Sequence, residues 1–363
     1  MRLSRPLKKK LELLMQNNDG IVLLAKKPGV TSFSSLNNVK KSLHTTKVGH
    51  TGTLDSFAQG LLVVCTGRMT KLVSHITEFD KSYSAVIKFG AETDTLEFTG
   101  QVVKEAPLPT LQALKAALTQ FTGELLQAPP AYSAIHVDGQ RASDLARKGI
   151  QVAIPKRKIT VFSADLAEYQ LEKDSDRVVF ARVDFTVSKG TYIRCLARDI
   201  AKSCGSAGHL VGLLRTKVGN FKLSDAAGLS LLEDFSIASA KKNAEDFLIK
   251  QTVEEEKEVE TNAKVRKPYV PTEEDLLIQT EIQEKIQNFS EETSILCGFE
   301  NIHLKSEERL ADFKNGKKLF YSDFEENINP ACAKPIAVFY KELFCGLLEI
   351  GANKKLYYKF VIA

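Results

Sequence analysis

The sequence contains no apolar run long enough to cross a membrane. Its longest runs, such as residues 61–65, are far shorter than the roughly 20 residues that span a bilayer. The N-terminus is basic but lacks the apolar core of a secretory signal. We therefore expect a cytoplasmic protein that has no membrane partner.

Patterns of metal and disulfide sites are also missing. The 363-residue chain has no Cys-x-x-Cys pair and no spacing of cysteine with histidine that is typical of a metal site. We expect reduced thiols and no bound metal. The six cysteines are scattered along the chain, at Cys65, Cys195, Cys204, Cys297, Cys332 and Cys345.

Charge is spread unevenly over the chain. The net charge is +5, but residues 240–293 hold 14 acidic against 8 basic side chains, a balance of −6 that leaves +11 for the remainder. A basic protein with an acidic insertion suits a polyanionic partner. A surface with slightly more lysine than glutamate would give the same balance, so charge alone leaves both interpretations open.

The order of hydrophobic patterns predicts an α+β fold with a mixed, mainly antiparallel sheet flanked by helices. Short apolar or alternating stretches predict strands, and residues with helical spacing predict helices between them. The predicted strands are residues 20–25, 60–66, 83–89, 159–169 and 177–187, and the predicted helices begin at Thr31 or Ser32 and at residues 70, 109, 140 and 191.

Composition divides the chain into four parts: a basic lead-in (1–19), a main domain (20–235), an acidic linker or insertion (236–293) and a small β-rich module (294–363). Residues 254–258 offer little to bury, and Pro268 and Pro271 interrupt the segment, so we expect a linker or solvated helices there. Three strands are predicted in the last part, at 336–340, 343–350 and 356–362.

One stretch, residues 49–64, places a single carboxylate in a glycine-rich loop. Gly49, Gly52 and Gly60 allow tight turns around Asp55, and an apolar strand follows at once. A charged side chain on a stiff loop at the end of a buried strand is one way to present a reactive group. The ordinary alternative is an aspartate that caps a turn, and this stretch alone does not separate the two.

Several segments together resemble the TruB family of tRNA pseudouridine synthases. They occur in the family's order and cover about residues 20–230, and so many motifs in order are far more specific than any single one. The segments are K-P-G-V-T-S (27–32), G-H-T-G-T-L-D-S-F-A-Q-G (49–60), D-K-S-Y (80–83), G-x-x-T-D-T (90–95), P-x-Y-S-A (130–134), S-K-G-T-Y-I-R (188–194) and L-L-R-T (213–216).

The resemblance implies a pseudouridine synthase catalytic domain over residues 20–235 and a role for each matching residue. Asp55 matches the catalytic aspartate, and Arg194 matches the arginine that pairs with it. His50 matches a histidine near the flipped base, and Tyr83 a tyrosine that stacks on the target uracil. Tyr192 and Leu214 match residues that line the substrate pocket. The implied substrate is the T-loop uridine of tRNA, position 55 in tRNA convention.

The reaction requires these residue types for its own reasons. Converting uridine to pseudouridine breaks the N-glycosidic bond, rotates the uracil and rejoins it through carbon, so no redox or group-carrying cofactor is needed. A carboxylate would attack the sugar or the base, or assist formation of a glycal, and the sequence does not choose between these routes. The base must leave its stack, and an aromatic side chain replaces part of the lost stacking.

Alternatives concern function and assembly. An RNA-binding or tRNA-folding factor on the same fold is the second interpretation, and an aspartate-nucleophile hydrolase is ranked last because no second paired carboxylate is evident near the loop. The long basic extensions of relatives that work in guide-RNA complexes are missing, so we expect a stand-alone, monomeric enzyme of the bacterial type. By the same resemblance, the last module is a diverged PUA-like domain.

Overall fold

The structure is a computed structural model that describes residues 18–362 except 131, 133–135, 138, 151–153 and 261–269, and of residues 136–137, 141 and 252–260 it describes only the backbone. Most of the predicted basic lead-in and two residues of the P-x-Y-S-A motif, Ser133 and Ala134, lie outside the described residues.

Eighteen strands are present in the described part of the chain. Ten of them form one large sheet, and four form a smaller sheet near the C-terminus. The strands are β1 (Gly20–Lys26), β2 (Val48–His50), β3 (Gln59–Thr66), β4 (Lys81–Phe89), β5 (Ala91–Thr93), β6 (Val102–Glu105), β7 (Gly123–Gln127), β8 (His136–Val137), β9 (Gln140–Arg141), β10 (Arg157–Leu171), β11 (Val178–Val187), β12 (Gly208–Val218), β13 (Phe221–Lys222), β14 (Gln287–Asn288), β15 (Glu300–His303), β16 (Ile336–Tyr340), β17 (Leu343–Ile350) and β18 (Leu356–Val361).

Nine α-helices connect or cover these strands in the described part. The predicted helix from residue 70 is instead a 3₁₀ helix, Gly67–Leu72, followed by one short α-helix. The helices are α1 (Ser32–Ser42), α2 (Val73–Thr77), α3 (Leu111–Gln120), α4 (Ala142–Arg147), α5 (Ile193–Ser203), α6 (Ile237–Glu260), α7 (Glu273–Lys285), α8 (Glu291–Leu296) and α9 (Glu307–Lys314).

The large sheet has the order β14-β1-β3-β12-β4-β11-β10-β7, with β2 paired to β3 and β13 to β12. Strands β3 and β12 run parallel, and the other neighbouring pairs are antiparallel. The predicted α+β class with a mixed, mainly antiparallel sheet is confirmed. The parallel pair matters for the site because it aligns β12 with the strand that leaves the Asp55 loop.

Helices cover both faces of the large sheet. On one face, α3 and α5 pack against β4, β10 and β11 and bury residues such as Leu114 and Leu196. On the other, Ile237 and Ala240 of α6 pack against Val86 and Val211. Helix α7 packs on α1 and β1 through Ile278 and Ile282. Residues 236–293, expected to be a linker or solvated helices, therefore contain helices that contribute to the core.

Strand β12 lies in the middle of the sheet, although the sequence did not predict a strand there. Its glycines bring helices close to the backbone on both sides. A Cβ at Gly208 would lie 2.8 Å from the Cβ of Ala201 on α5, and a Cβ at Gly212 would lie 2.7 Å from that of Ala240 on α6. Gly208 and Gly212 allow the helices to pack closely, but they interrupt the apolar pattern by which a strand is recognised in a sequence.

The C-terminal module is a four-stranded sheet, β15-β16-β17-β18, and its three predicted strands are confirmed. It packs directly on the main domain, since Phe299 and Phe344 share a core with Leu72 and Ile76. Backbone oxygens near its end also bind the 3₁₀ helix of the main domain: Arg68 donates to the Ile362 carbonyl (2.6 Å) and Lys71 to that of Val361 (2.6 Å). Across the described ranges, no helix has the length and apolarity that a membrane span requires.

Candidate active site

Asp55 lies in an open cleft of about 850 Å³. The cleft is bounded by the first turn of α1, the loop before β3, the start of β4 and the segment that leads into α5. The side chain of Asp55 is 34% exposed, so its carboxylate faces solvent within the cleft while its neighbour Leu54 is buried. A ligand can reach this carboxylate without a change in the fold.

The buried guanidinium of Arg194 contacts the Asp55 carboxylate. Its Nη2 donates to Oδ1 at 3.1 Å, and its Nε lies 3.0 Å from Oδ2 without pointing at it, so Nε has no hydrogen-bond partner. The same guanidinium donates to the carbonyls of Thr95 (3.0 Å) and Tyr132 (3.1 Å). Only 6% of the Arg194 side chain is exposed. These contacts fix the cation beside the carboxylate and balance the negative charge of Asp55.

A second carboxylate, Glu97, lies on the far side of Arg194. Its Oε2 is 4.0 Å from Nη1 of Arg194, and its Oε1 accepts a hydrogen bond from Thr99 at 3.0 Å. Burial raises the pKa of Glu97 to about 7, the negative charge of Asp55 adds to this, and Arg194 opposes it. Nothing in the sequence indicated Glu97, because residues far apart in the chain converge on one arginine.

Two buried cations hold the backbone of the Asp55 loop. Lys26 Nζ donates to the carbonyls of Ser56 (3.2 Å) and Ala58 (2.5 Å). Arg215 donates from Nε to the Leu61 carbonyl (2.7 Å) and from Nη2 to that of Gly52 (3.1 Å). Burial lowers the pKa of Lys26 to about 7, which Asp55 opposes and Arg215 assists. Both ends of the loop are thus tied to side chains of β1 and β12.

The first turn of α1 holds the residue before Asp55. Ser32 Oγ accepts a hydrogen bond from the Leu54 N–H (2.8 Å) and lies 3.0 Å from its carbonyl, to which it donates. Gly60 continues the loop into β3 with a φ of +108°, and a Cβ there would lie 2.4 Å from the Arg215 carbonyl. Only glycine fits this close approach of β3 to β12. The loop is therefore rigid on both sides of the carboxylate.

His50 and Tyr83 both line the cleft. Burial lowers the pKa of His50, and the charge of Arg215 adds to this effect, so the imidazole is neutral at pH 7. Its Nδ1 lies 3.4 Å from the Gly52 N–H. Tyr83 is half-buried near the start of β4 and packs against the core on the α5 face. Its ring forms part of the cleft wall close to the Asp55 loop.

Tyr192, at the N-cap of α5, is held by two residues whose role was not predicted. The amide of Gln127 accepts from the Tyr192 N–H (2.8 Å) and donates to its carbonyl (3.0 Å). The guanidinium carbon of Arg157 lies 4.9 Å from the centre of the Tyr192 ring. Tyr192 and Arg157 both line the cleft, and the cation on the ring fixes its orientation.

Leu214 is the candidate residue that the structure does not bring to the cleft. Its neighbours Leu213 and Arg215 line the cleft instead. Successive side chains of a strand point to opposite faces, and a Cβ on Gly60 would lie 3.0 Å from Leu214 Cδ1. The L-L-R-T segment therefore does reach the cleft, but through the side chains of Leu213 and Arg215 rather than that of Leu214.

Several basic residues lie near the motifs in sequence, and an RNA-binding surface would need such a cluster, but the structure uses them in different ways. The residues are Lys26, Lys27, Lys40, Lys41, Lys47, Arg68 and Lys71. Lys26 is buried under the Asp55 loop, Lys27 pairs with Glu274 at 2.7 Å, and Arg68 and Lys71 bind the end of the C-terminal module. These side chains are used inside the fold, whereas Lys40 lies on the exposed side of α1. The position of a lysine or arginine in the sequence does not show whether its side chain bonds within the fold or faces a ligand.

Comparison with known proteins gives the family. Residues 40–193 match the model of the TruB family pseudouridylate synthase N-terminal domain. A protein of Treponema denticola named tRNA pseudouridine synthase B is 39% identical to the chain, over 93% of the chain and 96% of the relative. One of the same name from Caldanaerobacter subterraneus is 41% identical, over 67% of the chain and 83% of the relative. The chain belongs to the TruB family of pseudouridylate synthases.

Solved structures support the same fold at lower identity. A structure of an H/ACA RNP bound to a substrate RNA containing 2′-deoxyuridine superposes with a TM-score of 0.60 and 18% identity, covering 99% of this chain and 89% of that one. A Cbf5-Nop10-Gar1 complex gives a TM-score of 0.60 at 19% identity, covering 96% and 86% of the two chains. Pseudouridine synthases are isomerases, so the predicted enzyme class is confirmed.

Proposed function

We propose that this enzyme isomerises the T-loop uridine of tRNA, position 55, to pseudouridine, and that Asp55 carries out the reaction. The observation that supports it most directly is the half-exposed Asp55 carboxylate held beside the buried Arg194 in an open cleft. Family membership supplies the reaction, and the names of the similar bacterial proteins indicate tRNA as the substrate.

The reaction moves one bond of the uracil. The bond from N1 to C1′ of the ribose breaks, a bond from C5 to C1′ forms, and the proton on C5 is replaced by a proton on N1, so the atoms balance without a co-reactant. An ionised carboxylate on a rigid loop is suited to attack C1′ or the base, or to assist loss of a proton from the sugar. Arg194 orients the Asp55 carboxylate and places a positive charge beside it in each of these routes.

Aromatic side chains of the cleft supply binding for a flipped base. We assign Tyr83 to the target uracil because its ring stands in the cleft wall near the Asp55 loop, and base–aromatic stacking contributes about 1–3 kcal/mol. Tyr192, oriented by Gln127 and Arg157, lines the other side of the same cleft. We assign His50, a neutral imidazole, to a contact with the RNA beside the flipped nucleotide.

The test uses the full chain and an unmodified tRNA transcript. Asp55→Asn keeps the size of the side chain and is expected to abolish pseudouridine formation at the T-loop while tRNA binding stays within a few-fold of the wild type. Asp246→Asn, at an exposed aspartate of α6 that does not line the cleft and lies outside the motifs, is the control and should retain full activity. Isomerisation of the T-loop uridine by Asp55→Asn would refute the assignment.

Binding without catalysis defines the alternative outcome. If Asp55→Asn restored tRNA folding or growth as fully as the wild type, the chain would act chiefly as an RNA-folding factor. We further propose that it acts as a monomer, since Arg194, Glu97, Lys26 and Arg215 around Asp55 all come from one chain. Sedimentation of the free enzyme and of its complex with tRNA should then show one enzyme per RNA.

A further inference from the structure

A large aromatic side chain, Phe33, is exposed at the edge of the Asp55 cleft. It is 69% exposed and is one of the residues that line the cleft. It lies in the first turn of α1, directly after Ser32. Its place in the wall of the cleft, rather than its exposure alone, makes this ring a surface on which a base of a bound RNA can stack.

The position of Phe33 relative to Asp55 is fixed by the fold. Ser32 Oγ bonds to both the N–H and the carbonyl of Leu54. Phe33 directly follows Ser32 in the chain, and Asp55 directly follows Leu54. Helix α1 is anchored in turn by Leu36 and Val39, which are buried in the core. The backbone of Phe33 is therefore held at a fixed place beside the Asp55 loop.

A lysine side chain lies over the Phe33 ring. Lys40, two helical turns further along the exposed side of α1, places Nζ 4.7 Å from the ring centre. The ammonium group orders the ring through a cation–π contact and adds a positive charge at the same place. A ligand that satisfies both groups presents a flat π surface to the ring and a negative charge to the lysine, as a nucleotide does.

We propose that Phe33 and Lys40 form a second base-binding site, in which an unpaired nucleotide next to the target uridine stacks on the Phe33 ring while its phosphate approaches Lys40. The inference rests on the proposed function, because it takes the ligand of the cleft to be a single-stranded RNA loop. Stacking on an aromatic ring is sequence-tolerant and contributes to binding rather than to the chemical step. Phe33 is thus a binding residue for the substrate loop.

The experiment compares Phe33→Ala and Phe33→Tyr with the wild type on a T-arm stem-loop RNA. Phe33→Ala should raise Kd and KM roughly tenfold and leave the single-turnover rate at saturating RNA within about threefold. Phe33→Tyr keeps the ring and should stay within about twofold. Phe33 is exposed, so thermal unfolding should be unchanged in both variants, and Phe162→Ala, which removes a 51% exposed ring outside the cleft, is the matched control.

Abasic RNAs identify the stacked nucleotide. A set of stem-loops, each lacking the base at one unpaired position other than the target, is titrated against the wild type and Phe33→Ala. One abasic RNA should bind the wild type about tenfold more weakly and show no further loss with Phe33→Ala. An unchanged Kd for Phe33→Ala on the intact RNA, or an equal loss on every abasic RNA, would overturn the proposal.

The same data separate this inference from the proposed function. If the wild type bound the stem-loop but formed no pseudouridine, the reaction assignment would fail. The Kd values of the intact and abasic RNAs would still show whether Phe33 stacks on a base. If pseudouridine formed normally with Phe33→Ala at unchanged KM, the second base site would fail and the reaction would stand. Lys40→Met should weaken binding about threefold and reduce its dependence on salt.

Discussion

Two regions hold the Asp55 loop, and they do so with different chemistry. At the N-terminus of α5, Arg194 binds the carboxylate of Asp55 itself and lies close to a second carboxylate, Glu97. At the junction of β1, β3 and β12, Lys26 and Arg215 donate to backbone carbonyls in and next to the loop, among them those of Ala58 and Leu61. The first region places charged side chains beside the reacting group, whereas the second sets the position of the loop backbone. Substitutions in the two regions should therefore differ in what they change.

The largest effect is expected at Arg194. Arg194→Met removes the cation beside Asp55, and we expect kcat to fall roughly 100- to 1,000-fold, the range found when a preorganised charge partner is lost. Binding of tRNA should change little, because the side chain is almost fully buried. Single-turnover rates and Kd on the same transcript measure both. Arg198→Met, one turn further along α5, removes an arginine paired with Asp199 instead and should keep most of the activity.

Arg215 tests the second region. Arg215→Met leaves the carbonyls of Leu61 and Gly52 without donors in the core, so we expect a loss of about 3 kcal/mol in the free energy of unfolding. The loop also loses its position, and kcat should fall about tenfold. Urea denaturation and activity assays check the two effects. A variant with wild-type stability and activity would show that the loop does not depend on this side chain, and Arg215→Lys should recover only part of both losses.

Glu97 gives a pH-dependent test of the first region. Its pKa is about 7 in the folded chain and 4.5 without the fold, so between these values the folded state binds more protons than the unfolded state. The contribution of Glu97 to stability therefore falls as the pH rises from about 4.5 to 7. The glutamine of Glu97→Gln is neutral at every pH. The free energy of unfolding of this variant, relative to that of the wild type, should therefore increase by roughly 2 kcal/mol as the pH rises from about 4.5 to 7.

Denaturation curves at closely spaced pH values would show this change. Glu105→Gln, an exposed position on β6, should give a constant difference from the wild type over the same range. A constant difference for Glu97→Gln as well would mean that the pKa of Glu97 is the same in the folded and the unfolded chain.

The smallest effect is expected at Ser32, which joins α1 to the loop. Ser32→Ala removes the hydroxyl that bonds to both polar backbone groups of Leu54 and should cost about 1 kcal/mol of stability. A fall of kcat by two- to fivefold should accompany it, because Leu54 directly precedes Asp55. Thermal unfolding and kcat are the measurements. Ser34→Ala, an exposed serine whose bonds stay within the first turn of α1, should leave kcat unchanged.

Much of the fold was predictable, because local patterns report local structure. Apolar runs and caps located β1, β3 and α1, including the N-cap at Thr31. Strand β12 was missed because Gly208 and Gly212 serve helix packing, which no pattern within the strand reveals. A linker or solvated helices were expected in residues 236–293, but the burial of α7 was not predicted, because this helix is largely acidic and buries only Ile278 and Ile282 in the core.

For the site, motifs indicated which residues matter but not how they are arranged. The resemblance predicted that Arg194 lies beside Asp55, and the two side chains are in contact. Glu97 was not predicted, because the turn that brings it to Arg194 depends on Leu96 in a left-handed conformation (φ +62°). The burial of Lys26 and Arg215 was not predicted, since burial of a basic side chain depends on long-range packing. The roles of Asp55, His50, Tyr83, Tyr192 and Leu214 in the reaction stay predictions.

The pairing of β1 with β14 has a consequence for synthesis of the protein. Gly20 pairs with Asn288, and α7 covers the same strand, so β1 obtains these partners only when most of the chain has been made. During translation one edge of β1 and an apolar side of α1 stay open. We expect nascent chains that stop before α7 to be captured by chaperones and to aggregate, and chains that extend past β14 to fold.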